Sequence, residues 1–180
     1  MRFELNEFRR GKPTKFKTVL NVKKENGSLI FNFTCDDCQF FCPFNEYNKN
    51  IFRGDVVEVF IATEKTDMDK RYFEFELAPN GTAFCALITN KKGNGKKIVV
   101  DLLEKGFETN VVKLENGYIG EFRIPLEFIG VKEKDVVNFN AYRIETEGFM
   151  PDKVCLSLYP THSIEFHVRK SFRELDLSLL

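Results

Sequence analysis

The chain has no tryptophan, only two histidines and five cysteines in 180 residues. Without Trp, any ring that stacks on a ligand must be Phe or Tyr. The two histidines, His162 and His167, stand alone. Ser163 beside His162 is no catalytic triad, because adjacency in sequence does not create nucleophile–base geometry. An odd cysteine count in a chain of this length argues against a disulfide framework and for reduced, small apolar residues. There is no net charge either, 27 basic residues balancing 27 acidic ones. Nothing therefore points to nucleic acid or an anionic membrane. No apolar run approaches the roughly 18 residues of a membrane span. The first eight residues, Met1 to Phe8, contain no hydrophobic signal core. If Met1 is the native start, that predicts a cytoplasmic protein. A Gly-rich phosphate loop is also missing, since Gly93-Asn94-Gly95 opens onto a strand and not a helix.

Phenylalanine is abundant, with 20 copies. It favours strands and supplies a large apolar core. Period-2 patterning predicts strands over 16–22, 28–34, 55–63, 71–77, 82–89, 97–103, 108–114, 118–124, 137–145, 154–158 and 163–168. Asn26-Gly27, Asn80-Gly81, Asn94-Gly95 and Asn116-Gly117 mark tight turns between them. The strongest hairpin joins 71–77 to 82–89 through Pro79-Asn80-Gly81. The best helical turn is 125–129, closed by Gly130. The expected fold is all-β, an antiparallel sandwich of jelly-roll type with at most short helical turns. Residues 1–180 read as one domain without repeat or linker, long enough to bury about 70% of the unfolded surface. The basic stretch 91–97 reads as a solvated hairpin tip.

Two neighbouring strands carry the chemistry. On 55–61, Val57, Val59 and Ile61 share one face, and Val56, Glu58 and Phe60 the other. On 72–77, Phe73, Phe75 and Leu77 oppose Tyr72, Glu74 and Glu76. Rings mixed with carboxylates suit polyhydroxylated ligands: rings stack on C–H faces and carboxylates accept from hydroxyls. The pleat predicts a polar face of Glu58, Glu74, Glu76, Glu121, Arg123, Asn138, Asn140 and Tyr142. Three readings fit it. It is the wet side of a sheet with cross-strand ion pairs, a ligand groove, or a glycosidase-like carboxyl pair about 5–10 Å apart.

The ordered segments resemble the family 9 carbohydrate-binding modules and their DOMON-related relatives. The resemblance is carried by Ser28-Leu29-Ile30-Phe31-Asn32-Phe33-Thr34-Cys35-Asp36, Phe52-x-x-Asp55-x-Val57-Glu58-Val59-Phe60, and Tyr72-x-Glu74-x-Glu76 with Pro79-Asn80-Gly81. It continues through Gly120-Glu121-Phe122-Arg123-Ile124-Pro125-Leu126, Asn138-Phe139-Asn140-Ala141-Tyr142-Arg143-Ile144 and Leu156-Ser157-Leu158-Tyr159-Pro160-Thr161, with His167 and Phe172 near the end. It spans about 16–177 and implies non-catalytic sugar recognition. By the same resemblance, Phe52 and Tyr159 are stacking walls, and Glu58 and Asn140 are hydroxyl partners. Both walls are Trp in sugar-binding members, so stacking here is expected to be weaker by about 1 kcal/mol. The implied partner is a carbohydrate; the alternative is a structural or protein-interaction sandwich that has lost the sugar site. No cofactor is expected beyond the calcium that some members hold, to which Asp36 and Asp37 offer oxygens.

Smaller features keep alternatives open. Cys35, Cys38 and Cys42 could hold zinc with another Cys or a His, form a local disulfide, or remain loop thiols. His167 reads as a hydrogen-bonded structural residue; His162 lies near Tyr159 and could line a ligand site.

Overall fold

The computed structural model describes residues 1–37, 39–63, 70–95, 97–146 and 153–180. Among these are β1 (Arg2–Glu4), β2 (Asn6–Glu7), β3 (Thr18–Glu25), β4 (Ser28–Asp36), β5 (Val56–Ala62), β6 (Arg71–Leu77) and β7 (Ala83–Thr89). They are followed by β8 (Val99–Leu102), β9 (Glu108–Leu114), β10 (Gly117–Pro125), α1 (Leu126–Ile129), β11 (Val136–Thr146), β12 (Lys153–Ser157) and β13 (Arg173–Asp176). Two antiparallel sheets form. One runs β1-β3-β4-β10-β9; the other runs β2-β12-β11-β5-β6-β7-β8, with β13 added to β11. The predicted antiparallel sandwich is the observed architecture.

Turn chemistry sets the hairpins. Asn26 and Gly27 have φ of 50° and 70°, the positive pair that a two-residue β-hairpin turn needs, and they join β3 to β4. Gly130 ends α1 at φ 71°, as its position after the helical turn predicts. Between the sheets lies a core that includes Phe31, Phe33, Phe75, Phe122 and Phe139, all fully buried. Each such ring contributes about 1.5–3 kcal/mol by leaving water.

The departures from expectation are local. Residues 163–168 form no strand; Val168 makes a single bridge to Asn94, and the segment lies over the outer face of the larger sheet. Its alternation of Ile164 and Phe166 is that of a strand, yet it meets a sheet face rather than a sheet edge. Strands β1, β2 and β13 are too short to show a period and emerge only from pairing. The predicted polar face divides between the two sheets. Glu121 accepts from Asn32 at 3.1 Å and Arg123 pairs with Glu25 at 3.3 Å, both on the smaller sheet.

Candidate functional site

The outer face of the larger sheet collects Glu58 from β5 and Glu74 and Glu76 from β6. Glu58 sits directly opposite Glu76, and Phe60 opposite Glu74. Alternation puts all three carboxyls on the side away from the sandwich core. They do not form the wet, ion-paired face of an ordinary sheet, being only 2%, 6% and 2% exposed. The cover comes from distant segments. Tyr142 Oη donates to the Phe166 carbonyl at 3.0 Å, Asn90 Nδ2 donates to the His167 carbonyl at 2.9 Å, and Tyr142 stacks on Phe166 with centroids 4.4 Å apart. Phe8 meets Phe166 edge-on at 5.3 Å.

Between floor and cover lies a cavity of about 440 Å³. Its walls include Phe8, Phe52, Phe84, Ile98, Ile144 and Phe166, its floor the three glutamates. The volume lies within the roughly 300–1,000 Å³ of small-ligand sites, and apolar walls with a few convergent polar groups are their usual make-up. Phe52, Val100 and Ile164 line it and are 42%, 45% and 73% exposed, so the cavity opens to solvent on an apolar rim.

Burial governs the electrostatics. Removal from water raises all three glutamates: Glu74 is pushed up to about 8, and Glu58 and Glu76 stand well above the usual carboxylate range. The neighbouring carboxyls add to the rise at Glu58 and Glu76. Glu74 and Glu76, two residues apart on one face of β6, influence each other's ionisation. Proximity to the Phe52 backbone N–H partly offsets the rise at Glu76, whose Oε2 is buried without a hydrogen-bond partner.

The structure brings together two of the four predicted site residues. Phe52, on a 3₁₀ turn at Ile51–Arg53, lines the same cavity as Glu58. Gly54 ends that turn where a Cβ would lie 2.4 Å from the Phe41 carbonyl, so only glycine fits. Asn140 and Tyr159 lie elsewhere. Asn140 is fully buried; its Nδ2 donates to the Tyr159 carbonyl at 2.9 Å, and its Oδ1 accepts from the Tyr159 N–H at 3.1 Å. Tyr159 packs edge-on against Phe139 at 5.9 Å, on the core side of the sheet. This pair pins the start of the covering segment. Glu74 and Glu76 were visible as outward positions on their strand. Phe8, Phe84 and Phe166 had no such signal, because they converge only through tertiary structure.

His167 is the hydrogen-bonded histidine that the sequence predicted. Its Nδ1 lies 2.7 Å from Tyr72 Oη, the ring stacks on Phe60 at 5.2 Å, and burial lowers its pKa to about 4. His162 adopts φ 53° in an exposed loop and does not line the cavity.

A second group of acids lies on the opposite face of the same sheet. Asp37, Asp55 and Glu145 are buried, each with a carboxylate oxygen within 4.8 Å of the others. Arg143, also buried, hydrogen-bonds Glu145, donates to the Asp36 carbonyl at 2.8 Å and to Thr18 Oγ1 at 3.0 Å, and lies 3.9 Å from Asp37 Oδ2. Asp55 accepts from the backbone N–H groups of Phe41 and Thr146. Burial pushes Glu145 up to about 8 against the pull of Arg143. Arg143 already stands beside Asp37 and Glu145, and backbone N–H groups take both oxygens of Asp55, so the group does not fit calcium, which takes six to eight oxygens. The side chain of Asp36 is exposed. Cys35, Cys42, Cys85 and Cys155 are free thiols, all raised by burial, and Cys38 lies outside the described residues. No helix among the described residues is long and apolar enough to cross a membrane.

No family model matches the sequence. A curated relative, an "Extracellular protein" of Arthroderma benhamiae, is 21% identical over 173 residues, covering 88% of this chain and 78% of its own length. Among solved structures, a candidate carbohydrate-binding protein from Bacteroides uniformis superposes with a TM-score of 0.78 at 13% identity, over 98% of this chain and 85% of that one. A family 9 carbohydrate-binding module from Caldicellulosiruptor kristjanssonii in complex with cellotriose gives 0.68 at 14% identity, over 97% of this chain and 80% of that one. A family 9 module from the same organism in complex with glucose gives 0.67 at 15%, over 97% and 83%. The chain thus has the fold of the family 9 carbohydrate-binding modules.

Proposed function

We propose that the protein is a non-catalytic sugar-binding module whose site is the cavity on the outer face of the larger sheet. The observation that carries this reading is the cavity itself. Carboxyl groups that can bond hydroxyls form its floor, and phenylalanines that can stack on C–H faces form its walls. Two similar structures are modules described in complex with cellotriose and with glucose, which supports the same class of ligand. Phe52 and Glu58 are the binding residues in this reading. Asn140 and Tyr159 anchor the segment that covers the site.

Titration calorimetry or ligand-detected NMR with a panel of mono- and oligosaccharides tests the proposal. A saturable interaction in the micromolar-to-millimolar range, weakened by Phe52→Ala and by Glu58→Gln, is expected. A folded protein that binds no sugar of the panel overturns it. One observation favours a protein partner as the second reading: the rim residues Phe52, Val100 and Ile164 are apolar and exposed together.

A further inference from the structure

Resting on the sugar-binding reading, we propose that the cavity selects an amino sugar, a pyranose carrying a protonated amine, over a neutral sugar. The floor of the cavity is made of carboxyl groups that burial keeps protonated while the cavity is empty. Glu58, Glu74 and Glu76 converge there, and Glu165 joins them at the rim. No Lys or Arg stands among the described residues that line it. Lys153, near its margin, already donates to the Phe52 carbonyl at 2.7 Å. A neutral sugar presents hydroxyls that both donate and accept, and sites for it profit from a mixed set of partners. A cation that enters beneath the apolar walls favours the ionised, acceptor-only form of these carboxyls, so a ligand group that only donates and carries positive charge is matched to them, with protons released to solvent on binding.

Glu76 lines the cavity floor, and its Oε2 is buried without a hydrogen-bond donor, so its carboxyl has bonding capacity left for one. The phenylalanine walls accept the same ligand twice over, its C–H face by stacking and its ammonium through the ring quadrupole. A bare metal ion fits poorly. Asp37, Asp55 and Glu145 are the described acids whose ligand atoms close to within 4.8 Å, and the three cavity glutamates do not form such a group. The inner acidic group provides its own guanidinium in Arg143, so this chain supplies a cation where the acids serve the fold alone.

Calorimetric titration of the full chain at pH 7.5 with glucosamine, N-acetylglucosamine and glucose tests this, because the three share a ring and differ in charge. Glucosamine is expected to bind at least tenfold more tightly than either neutral sugar. Glu76→Gln and Glu74→Gln, isosteric and checked for folding by circular dichroism, should remove that preference. Equal or weaker binding of glucosamine overturns the amino-sugar proposal while the sugar-binding reading stands. Binding of a simple diamine such as putrescine, with no response to any of the three sugars, overturns both. Silence to all four ligands overturns both as well.

Discussion

Two sets of buried carboxyl groups lie on opposite faces of one sheet, and the chain treats them differently. On the inner face, Asp37, Asp55 and Glu145 surround Arg143, and backbone N–H groups take up both oxygens of Asp55. On the outer face, Glu58, Glu74 and Glu76 have no guanidinium, are raised by burial above the usual carboxylate range, and leave Glu76 Oε2 without a hydrogen-bond partner beside a cavity. Removing charge from water costs several kcal/mol per ion, so acids that serve only the fold are matched with partners. Acids held ready for a ligand keep some of that cost until the ligand arrives. The inner set reads as structure and the outer set as a site.

Loss of the inner cation should have the largest effect. Arg143→Met leaves Glu145 and Asp37 facing each other without compensation, and a loss of about 3–5 kcal/mol in urea unfolding is expected. Arg143→Lys should restore only part of it, because an ammonium cannot reach Glu145, Thr18 and the Asp36 carbonyl with one planar fork. A small loss in Arg143→Met would show that the two sets are alike.

The outer set should act in the opposite sense. Its folded-state pKa values are raised, so its contribution to stability is full below about 4.5 and is lost as the pH rises toward about 8. His167 runs the other way: its folded value is lowered to about 4, so its contribution is full above 6.5 and lost on acidification. The interval from pH 6.5 to 8 therefore isolates the acids, although Glu145 adds to the same slope. Unfolding free energy should fall across it in the unliganded protein. Glu76→Gln should flatten the slope and stabilise the protein by about 1–3 kcal/mol at pH 8. A slope that is unchanged in the variant would mean that Glu76 ionises freely.

Smaller effects separate the anchors from the walls. Tyr159→Ala removes an edge-on contact with Phe139 and should cost about 1–2 kcal/mol of stability while sugar affinity stays within twofold. Phe52→Ala should do the reverse: a stability change under about 0.5 kcal/mol, since the ring is half-exposed, and a loss of affinity of about fivefold, or about 1 kcal/mol. Matched effects of the two substitutions on binding would instead support a clamp formed by Phe52 and Tyr159.

Much of this was legible in the chain. Alternation in 56–61 and 72–77 assigned Val57, Val59, Phe73 and Phe75 to the core, and Glu58, Glu74 and Glu76 to the other face. That holds because a strand has only two faces. Asn-Gly turns set the β3–β4 and β6–β7 hairpins, because few residue pairs adopt the backbone angles that a tight turn requires. Only the tertiary structure decided that the outer face is covered. Residues 163–168 have the composition of a strand, and their place above the sheet is set by long-range bonds from Tyr142 and Asn90. It also placed Glu121 on the other sheet and Tyr159 against Phe139. Local sequence fixes which side of its own strand a residue faces. Which strand, ring or acid meets it there depends on segments more than 100 residues away, whose pairing free energy is gained only when the whole sandwich closes.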